Sequence, residues 1–197
     1  MALRENYREL LQDAAVLVVA RDGLDHATTK SIAGEVACNE VYIYRNFGSK
    51  EGLLQAAFNR ADIAFVQNVL KHIDVMDEAD RSLEERCHAL WDPVWAFCVG
   101  KPDIVQFYLR YYYSAQYLTS AHELHHRNYQ QLQVRLSRYF RSSRDSWFLM
   151  AHVFETILSF CSHILSGELE NARGELERAN ARLANENFVA KAPKALV

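Results

Sequence analysis

Two stretches of this chain, Thr28–Val36 and Glu40–Asn46, have the caps and apolar spacing of helices but are too short to stand alone. An isolated helix needs about 12–15 residues before propagation outweighs the cost of nucleation. Both must pack on something, and long amphipathic segments flank them. On the N-terminal side Leu3, Tyr7, Leu10, Leu11, Ala14, Leu17 and Val18 recur at three- and four-residue spacing, which predicts a helix from about Leu3 to Arg21, with Gly23 as its C-terminal cap. On the other side Ser49 caps a helix that begins at Lys50 and reaches about Ile73. Thr28 or Thr29 caps the first short helix and Asn39 the second. The link Ala37-Cys38-Asn39 is short enough to fix a large angle between them, so the segment reads as a helix-turn-helix with Ile32, Ala33, Val36, Ile43 and Phe47 as its shared core.

The rest of the chain continues the helical pattern. Only 7 Gly and 3 Pro interrupt 197 residues, and half the residues are hydrophobic, so an all-α fold with a real core is expected. Asp74 to Asp80 is a polar connection. Ser82-Leu83-Glu84-Glu85 is a capping box that opens the next helix, and Pro93 is expected to bend or split it. Gly100-Lys101-Pro102 is a stop followed by a start. A helix carrying Ile104, Phe107, Tyr108, Tyr111, Tyr112 and Tyr113 follows, aromatic on nearly every side and hence central. Ser120-Ala121-His122-Glu123 reads as a second capping box, starting a helix to about Phe140. Trp147 to Leu165 is the longest apolar run, and Leu169, Leu176 and Leu183 form a seven-residue stripe beyond it. The architecture expected is an N-terminal three-helix helix-turn-helix head, residues 1–48, and a larger helical body, residues 49–190, with 49–73 as connecting helix.

Composition excludes several classes. Cys38, Cys87, Cys98 and Cys161 are scattered without a C-x-x-C, which fits free thiols rather than a disulfide framework or a cysteine zinc site. Cys38 reads as a small buried residue of the turn. The start, MALRENYREL, lacks the apolar core of a signal peptide. The Trp147–Leu165 run contains His152, Glu155 and His163, and a carboxylate at mid-bilayer is expensive, so a buried helix is expected and no membrane partner. The cytoplasm is the expected location, and neither cofactor nor metal is called for.

The outward residues of the second short helix, Asn39, Glu40, Tyr42, Arg45 and Asn46, are polar or aromatic and suited to base edges and phosphates. Here Gly23, the Thr28-Thr29 start, Ile32-Ala33, Tyr44-Arg45-Asn46-Phe47 and Lys50-Glu51-x-Leu53 carry a resemblance. The stretch from about Arg4 to Phe58 resembles the DNA-binding domain of the tetracycline-repressor (TetR) family of bacterial transcription regulators. The resemblance implies a homodimer whose paired heads read a roughly palindromic double-stranded DNA operator, with a body that binds a small-molecule effector of unknown identity. Carried over by position, Thr29, Lys30, Tyr44, Asn46 and Lys50 would hold phosphates, and Asn39, Glu40, Val41, Tyr42 and Arg45 would lie nearest the bases. Tyr44 and Phe47 also read as packing residues. Three departures stand out. Ala37 replaces the usual turn glycine and is costly if φ is positive. Gly48 stands where Pro is frequent, and Glu40 places an acid at the start of the reading helix. Glu40 reads as a partner of the helix dipole, or as an acceptor for cytosine N4. Residues 1–60 hold seven Lys and Arg against eight Asp and Glu, so weak nonspecific DNA binding and a modest salt slope are expected.

In the body, aromatic walls with a few polar groups suit a small-molecule pocket. The candidates are Trp91, Trp95, Phe107, Tyr108, Tyr111, Tyr112, His125, Tyr129, Phe148, His152 and Glu155, each of which also reads as ordinary core. Glu155, a lone carboxylate in an apolar helix, suits a cationic ligand or a His or Arg at a dimer face. Phe154, Leu158, Cys161, Leu165, Leu169, Leu176 and Leu183 are the candidate dimer interface, since the apolar helix and the Leu stripe exceed what one subunit covers. His122-Glu123-Leu124-His125-His126 satisfies H-E-x-x-H, the pattern of a zinc-dependent hydrolase. Against that enzyme, Glu123 is explained by the second capping box and no third ligand follows. A helical dimer without DNA binding is the other alternative. The function expected is a ligand-responsive repressor, not an enzyme.

Overall fold

The computed structural model describes residues 2–139, 143–165 and 167, and among them only helices and turns occur. Residues up to Leu158 form one compact unit, and those from Ser159 a second. Eight α-helices are described: α1 Ala2–Asp22, α2 Thr29–Glu35, α3 Val41–Phe47, α4 Lys50–His72, α5 Leu83–Gly100, α6 Pro102–Tyr112, α7 His122–Ser137 and α8 Ser143–Leu165. A 3₁₀ turn, Ile73–Asp77, follows α4, and a π-helical turn, Tyr117–Ala121, leads into α7.

The caps explain most boundaries. Thr28 accepts from the Ser31 N–H and Ser31 answers to the Thr28 N–H, so α2 opens on a closed box. The Asn39 side chain accepts from the Val41 N–H at 2.9 Å, opening α3. Ser49 accepts from the Gly52 N–H at 3.0 Å, opening α4. Ser82 and Glu85 form the expected capping box at α5. Pro93 neither splits nor ends α5, which runs on to Gly100 with Val94 and Cys98 buried. The second capping box does not form. Ser120 lies in the π-helical turn, its hydroxyl donating to the Gln116 carbonyl at 2.7 Å, and Ala121 precedes α7 without a side-chain cap. Ser120 is itself inside a helical turn, so it does not stand at the helix start where a capping side chain acts.

Helix α2 ends in a Schellman motif: Cys38 N–H reaches Ala33 C=O at 3.0 Å and Ala37 N–H reaches Gly34 C=O at 3.1 Å. The motif puts Ala37 at φ +49°, the left-handed region. Gly48, at φ +79°, ends α3 in a conformation that proline cannot reach, which accounts for the glycine there.

Helix α4 is central. Its buried residues include Leu53, Leu54, Ala57, Phe58, Phe65 and Val66, and it packs against α1, α3, α5, α6 and α7. Phe58 lies against Tyr108 at 4.7 Å and Tyr111 at 4.8 Å between ring centroids, so the aromatic faces of α6 close on α4. Helix α1 packs on α4 and α6 together, and Arg110 of α6 donates to the Val19 carbonyl of α1 at 2.6 Å. The acidic segment after α4 is held by α7: Arg135 reaches Asp74 at 2.5 Å, and Asp77 accepts from Arg135, Arg138 and Tyr139. The Tyr139 hydroxyl, with the two guanidiniums, holds the Asp77 carboxyl below the usual carboxylate range.

Candidate functional site

The first candidate face is built on α3. Ile43, on its inner side, is fully buried, so the helix presents Val41, Tyr44 and Arg45 to solvent. Val41 is 52% exposed and Tyr44 51%, large apolar surface left facing water. Lys30 on α2 and Asn39 and Glu40 in the link are exposed as well. The remaining residues singled out from the sequence are committed internally. Tyr42 is half-buried and stacks on Tyr7 of α1 with centroids 4.7 Å apart. The Asn46 amide donates to the Tyr42 carbonyl at 2.7 Å. Lys50 donates to the Ala27 carbonyl at 3.1 Å, tying the start of α4 to the approach of α2. Phe47 is half-buried, not fully core, and Arg8 lies over its ring at 5.1 Å.

Glu40 makes no side-chain cap to α3. Its carboxylate accepts the Thr29 hydroxyl at 2.6 Å, so the acid links the two short helices.

The second candidate is a cavity of about 440 Å³ beside α6, the π-helical turn, α7 and α8. Tyr112, Tyr117, Tyr129 and Phe154 supply aromatic walls, and His122, His125 and His126 line one side. Tyr112, His125 and Tyr129 were among the residues singled out from sequence. Tyr108 lies behind the wall, while Phe107 and Tyr111 are core at 0% exposure. Trp91 and Trp95 stack on each other on α5 at 6.1 Å, away from this cavity. Phe148, His152 and Glu155 are exposed on α8, and the Phe148 and His152 rings lie parallel at 6.5 Å.

Behind the wall lies a residue the sequence reading passed over. Asp62 of α4 is 0% exposed. One carboxylate oxygen accepts from the Tyr108 hydroxyl at 2.7 Å and from His125 Nδ1 at 2.9 Å, and the other accepts from Asn128 at 2.7 Å. The signal was available, since Asp62 falls on the same helical stripe as Phe58, Phe65 and Val66. A carboxylate there must be paired. Burial pushes the Tyr108 phenol well above its ordinary range, so it stays a donor. With Nδ1 engaged by Asp62, Nε2 is the ring nitrogen of His125 that this network leaves over. Tyr129 is 2% exposed, and its hydroxyl makes no well-formed hydrogen bond among the described residues.

Of the candidate dimer residues, Phe154, Leu158 and Cys161 are buried at 6%, 3% and 3% exposure, while Leu165 is exposed. The chain's own interior thus accounts for Phe154 and Leu158, and the described large apolar side chains open to solvent on α8 are Phe148, Val153, Phe160 and Leu165. Leu169, Leu176 and Leu183 lie outside the described residues. No described helix is long and apolar enough to cross a membrane, and no group of three or more His, Cys, Asp or Glu is gathered to hold a metal among the described residues.

Residues 11–57 match the family described as bacterial regulatory proteins, tetR family. The N-terminal head belongs to the tetR family. A second match, to the valyl tRNA synthetase tRNA binding arm, covers residues 164–197. The chain is 29% identical over 93 residues to the HTH-type nicotine-responsive transcriptional repressor HdnoR of Paenarthrobacter nicotinovorans, a match covering 47% of this chain and 46% of that protein. It thus spans about half the length of that relative. Among solved structures, a TetR family regulator from Marinobacter aquaeolei VT8 aligns with a TM-score of 0.67 at 19% identity, covering 85% of this chain and 88% of the other. A putative tetR family regulator from Shewanella sp. PV-4 aligns at 0.65 and 14% identity over 89% and 94%. The multidrug binding protein EbrR complexed with imidazole aligns at 0.62 and 15% identity over 81% and 92%. These likenesses show that the body shares the tetR-type helical fold as well.

Proposed function

We propose that this chain is a ligand-responsive DNA-binding transcriptional regulator, a repressor that binds a palindromic operator as a homodimer. The observation that carries this reading is that one helix serves both candidate sites. The first turn of α4 holds the head through Lys50, and its middle holds the cavity wall through Asp62. Lys50 and Asp62 are twelve residues apart, about 18 Å along a helix axis. A molecule that pulls on His125 therefore pulls on the rod that positions α3. Operator release needs only that the effector bind more tightly to the arrangement in which the paired heads no longer fit successive major grooves.

On the DNA side, Arg45, Tyr44, Val41 and Lys30 are the residues free to meet DNA, with Asn39 and Glu40 at their edge. Thr29, Tyr42, Asn46 and Lys50 act by holding the geometry, through the bonds and the stack that engage them. On the effector side, none of the described lining residues is Lys or Arg, and the buried charge behind the wall is a carboxylate. A cavity of aromatic faces backed by an anion favours a cation or a weak organic base. The relatives named for nicotine and complexed with imidazole are consistent with such a base.

The test is fluorescence-anisotropy titration of DNA from upstream of the chain's own gene, at varied salt, with Tyr44→Ala and Arg45→Ala as controls. Saturable, salt-sensitive binding that both variants weaken supports the regulator. Weak amines should then release the DNA, and uncharged isosteres of equal size should not. Absence of sequence preference across a random-sequence selection would overturn the reading in favour of a helical dimer without DNA binding.

A further inference from the structure

We propose that His122 and His126 form a binding site for a divalent transition-metal ion of the nickel, copper and zinc class. The two side chains sit one turn apart on α7, and their Nε2 atoms face each other across 2.9 Å. Two nitrogens that share one such ion, at bonds of about 2.0–2.1 Å, lie about 2.8–3.4 Å apart. The separation is therefore already that of two nitrogens on one ion, and the ion binds beside the N···N line on loss of the shared proton, the two rings turning to converge on it. The ring planes are inclined at 62° with centroids 4.3 Å apart, so the imidazoles meet through their nitrogen edges instead of stacking.

The surroundings suit coordination. Imidazole ligates in its neutral form. The Tyr117 ring stands edge-on to His122 at 5.8 Å and limits its rotation. Both histidines line the cavity, where an ion is in reach of water. Imidazole donors favour zinc, copper and nickel over magnesium and calcium, and copper most strongly.

The site is a binding site and not a hydrolytic one. His125 keeps Nδ1 on Asp62, and no described third ligand joins the pair. Glu123 is the next residue along the helix from His122, on a different face from the two rings. Two protein ligands leave the remaining positions of the ion to water or to a small donor molecule.

Equilibrium dialysis of the full-length chain against nickel and copper salts, near neutral pH and without DNA, tests this independently of any operator. One ion per chain is expected, with a copper paramagnetic resonance spectrum showing nitrogen couplings from two imidazoles. Loss of even an outer partner of a metal site costs about 10–100-fold in affinity, so His122→Gln and His126→Gln should each weaken binding by at least about tenfold. His88→Gln, an exposed histidine of α5, should leave it unchanged. Thermal unfolding without metal verifies that the variants fold, as surface substitutions of this kind should. No binding by the parent chain, a copper spectrum without histidine nitrogen, or undiminished binding in both variants would overturn the site.

Discussion

At the scale of single residues, Ala37 holds the clearest local cost. It is the one non-glycine residue at positive φ among those described, at +49°. An L-residue pays about 1–2 kcal/mol in that region, and glycine gives back about 0.5–1 kcal/mol of that advantage through its freer unfolded chain. Ala37→Gly should therefore raise stability by about 0.5–1 kcal/mol, read from the urea midpoint. Asp62 is the opposite case, a buried carboxylate with both oxygens hydrogen-bonded. Asp62→Asn replaces one accepting oxygen with a donor facing Tyr108 and His125, or facing Asn128, and should cost about 2–3 kcal/mol by the same assay. His126 sets a pH dependence. Its folded pKa is depressed, so the fold takes up this proton less readily than the unfolded chain. The stability it contributes is whole above about pH 6.5, the unfolded value, and is lost as the pH falls from there through the folded pKa. Urea titrations between pH 7.5 and 5 should fall less steeply for His126→Gln than for the parent chain.

At the scale of elements, capping chemistry was legible in the sequence because it is local. Thr28, Asn39, Ser49 and the Ser82–Glu85 box all act within three residues, and each begins its helix as read. The Ser120 box failed because the chain is already helical there: Ser120 lies inside the π-helical turn Tyr117–Ala121, and Ala121 takes the position before α7. Pairings over distance were not legible either. Asp62 meets its partners 46, 63 and 66 residues away, and only its place on an apolar stripe hinted at them. The joint of α3 and α4 was missed for a similar reason. A Cβ on Gly52 would stand 2.2 Å from the Phe47 carbonyl oxygen, so α4 starts there only because residue 52 has no side chain. Gly52→Ala must push the two helices apart. It should cost about 1–3 kcal/mol in urea unfolding, and a head displaced in this way should lose operator affinity beyond what the stability loss explains.

For the whole first unit, the contact of interest is the one between Arg110 and the Val19 carbonyl, which clasps α6 to α1. α6 also carries Tyr108, the donor to Asp62, so the clasp and the cavity wall belong to one helix. Arg110→Met keeps the apolar stem and removes the charged donor. Effector-free DNA affinity should change little, while the amine concentration needed to release DNA should rise, both measured by anisotropy in one titration. Dimerisation is checked by sedimentation velocity, where Val153→Glu on the exposed apolar part of α8 should shift the population toward single chains.

The Asp62 carboxylate also bears on what the protein ignores. Much of the small-molecule pool of a cell is phosphorylated or carboxylated, and therefore negative. A cavity with a buried anion behind it and no Lys or Arg among its described lining residues offers such molecules little compensation for shedding water. Background traffic is turned away by its sign before shape is compared. A sensor built this way needs little steric precision to stay quiet, and can leave its walls broad enough to admit several bases of different outline.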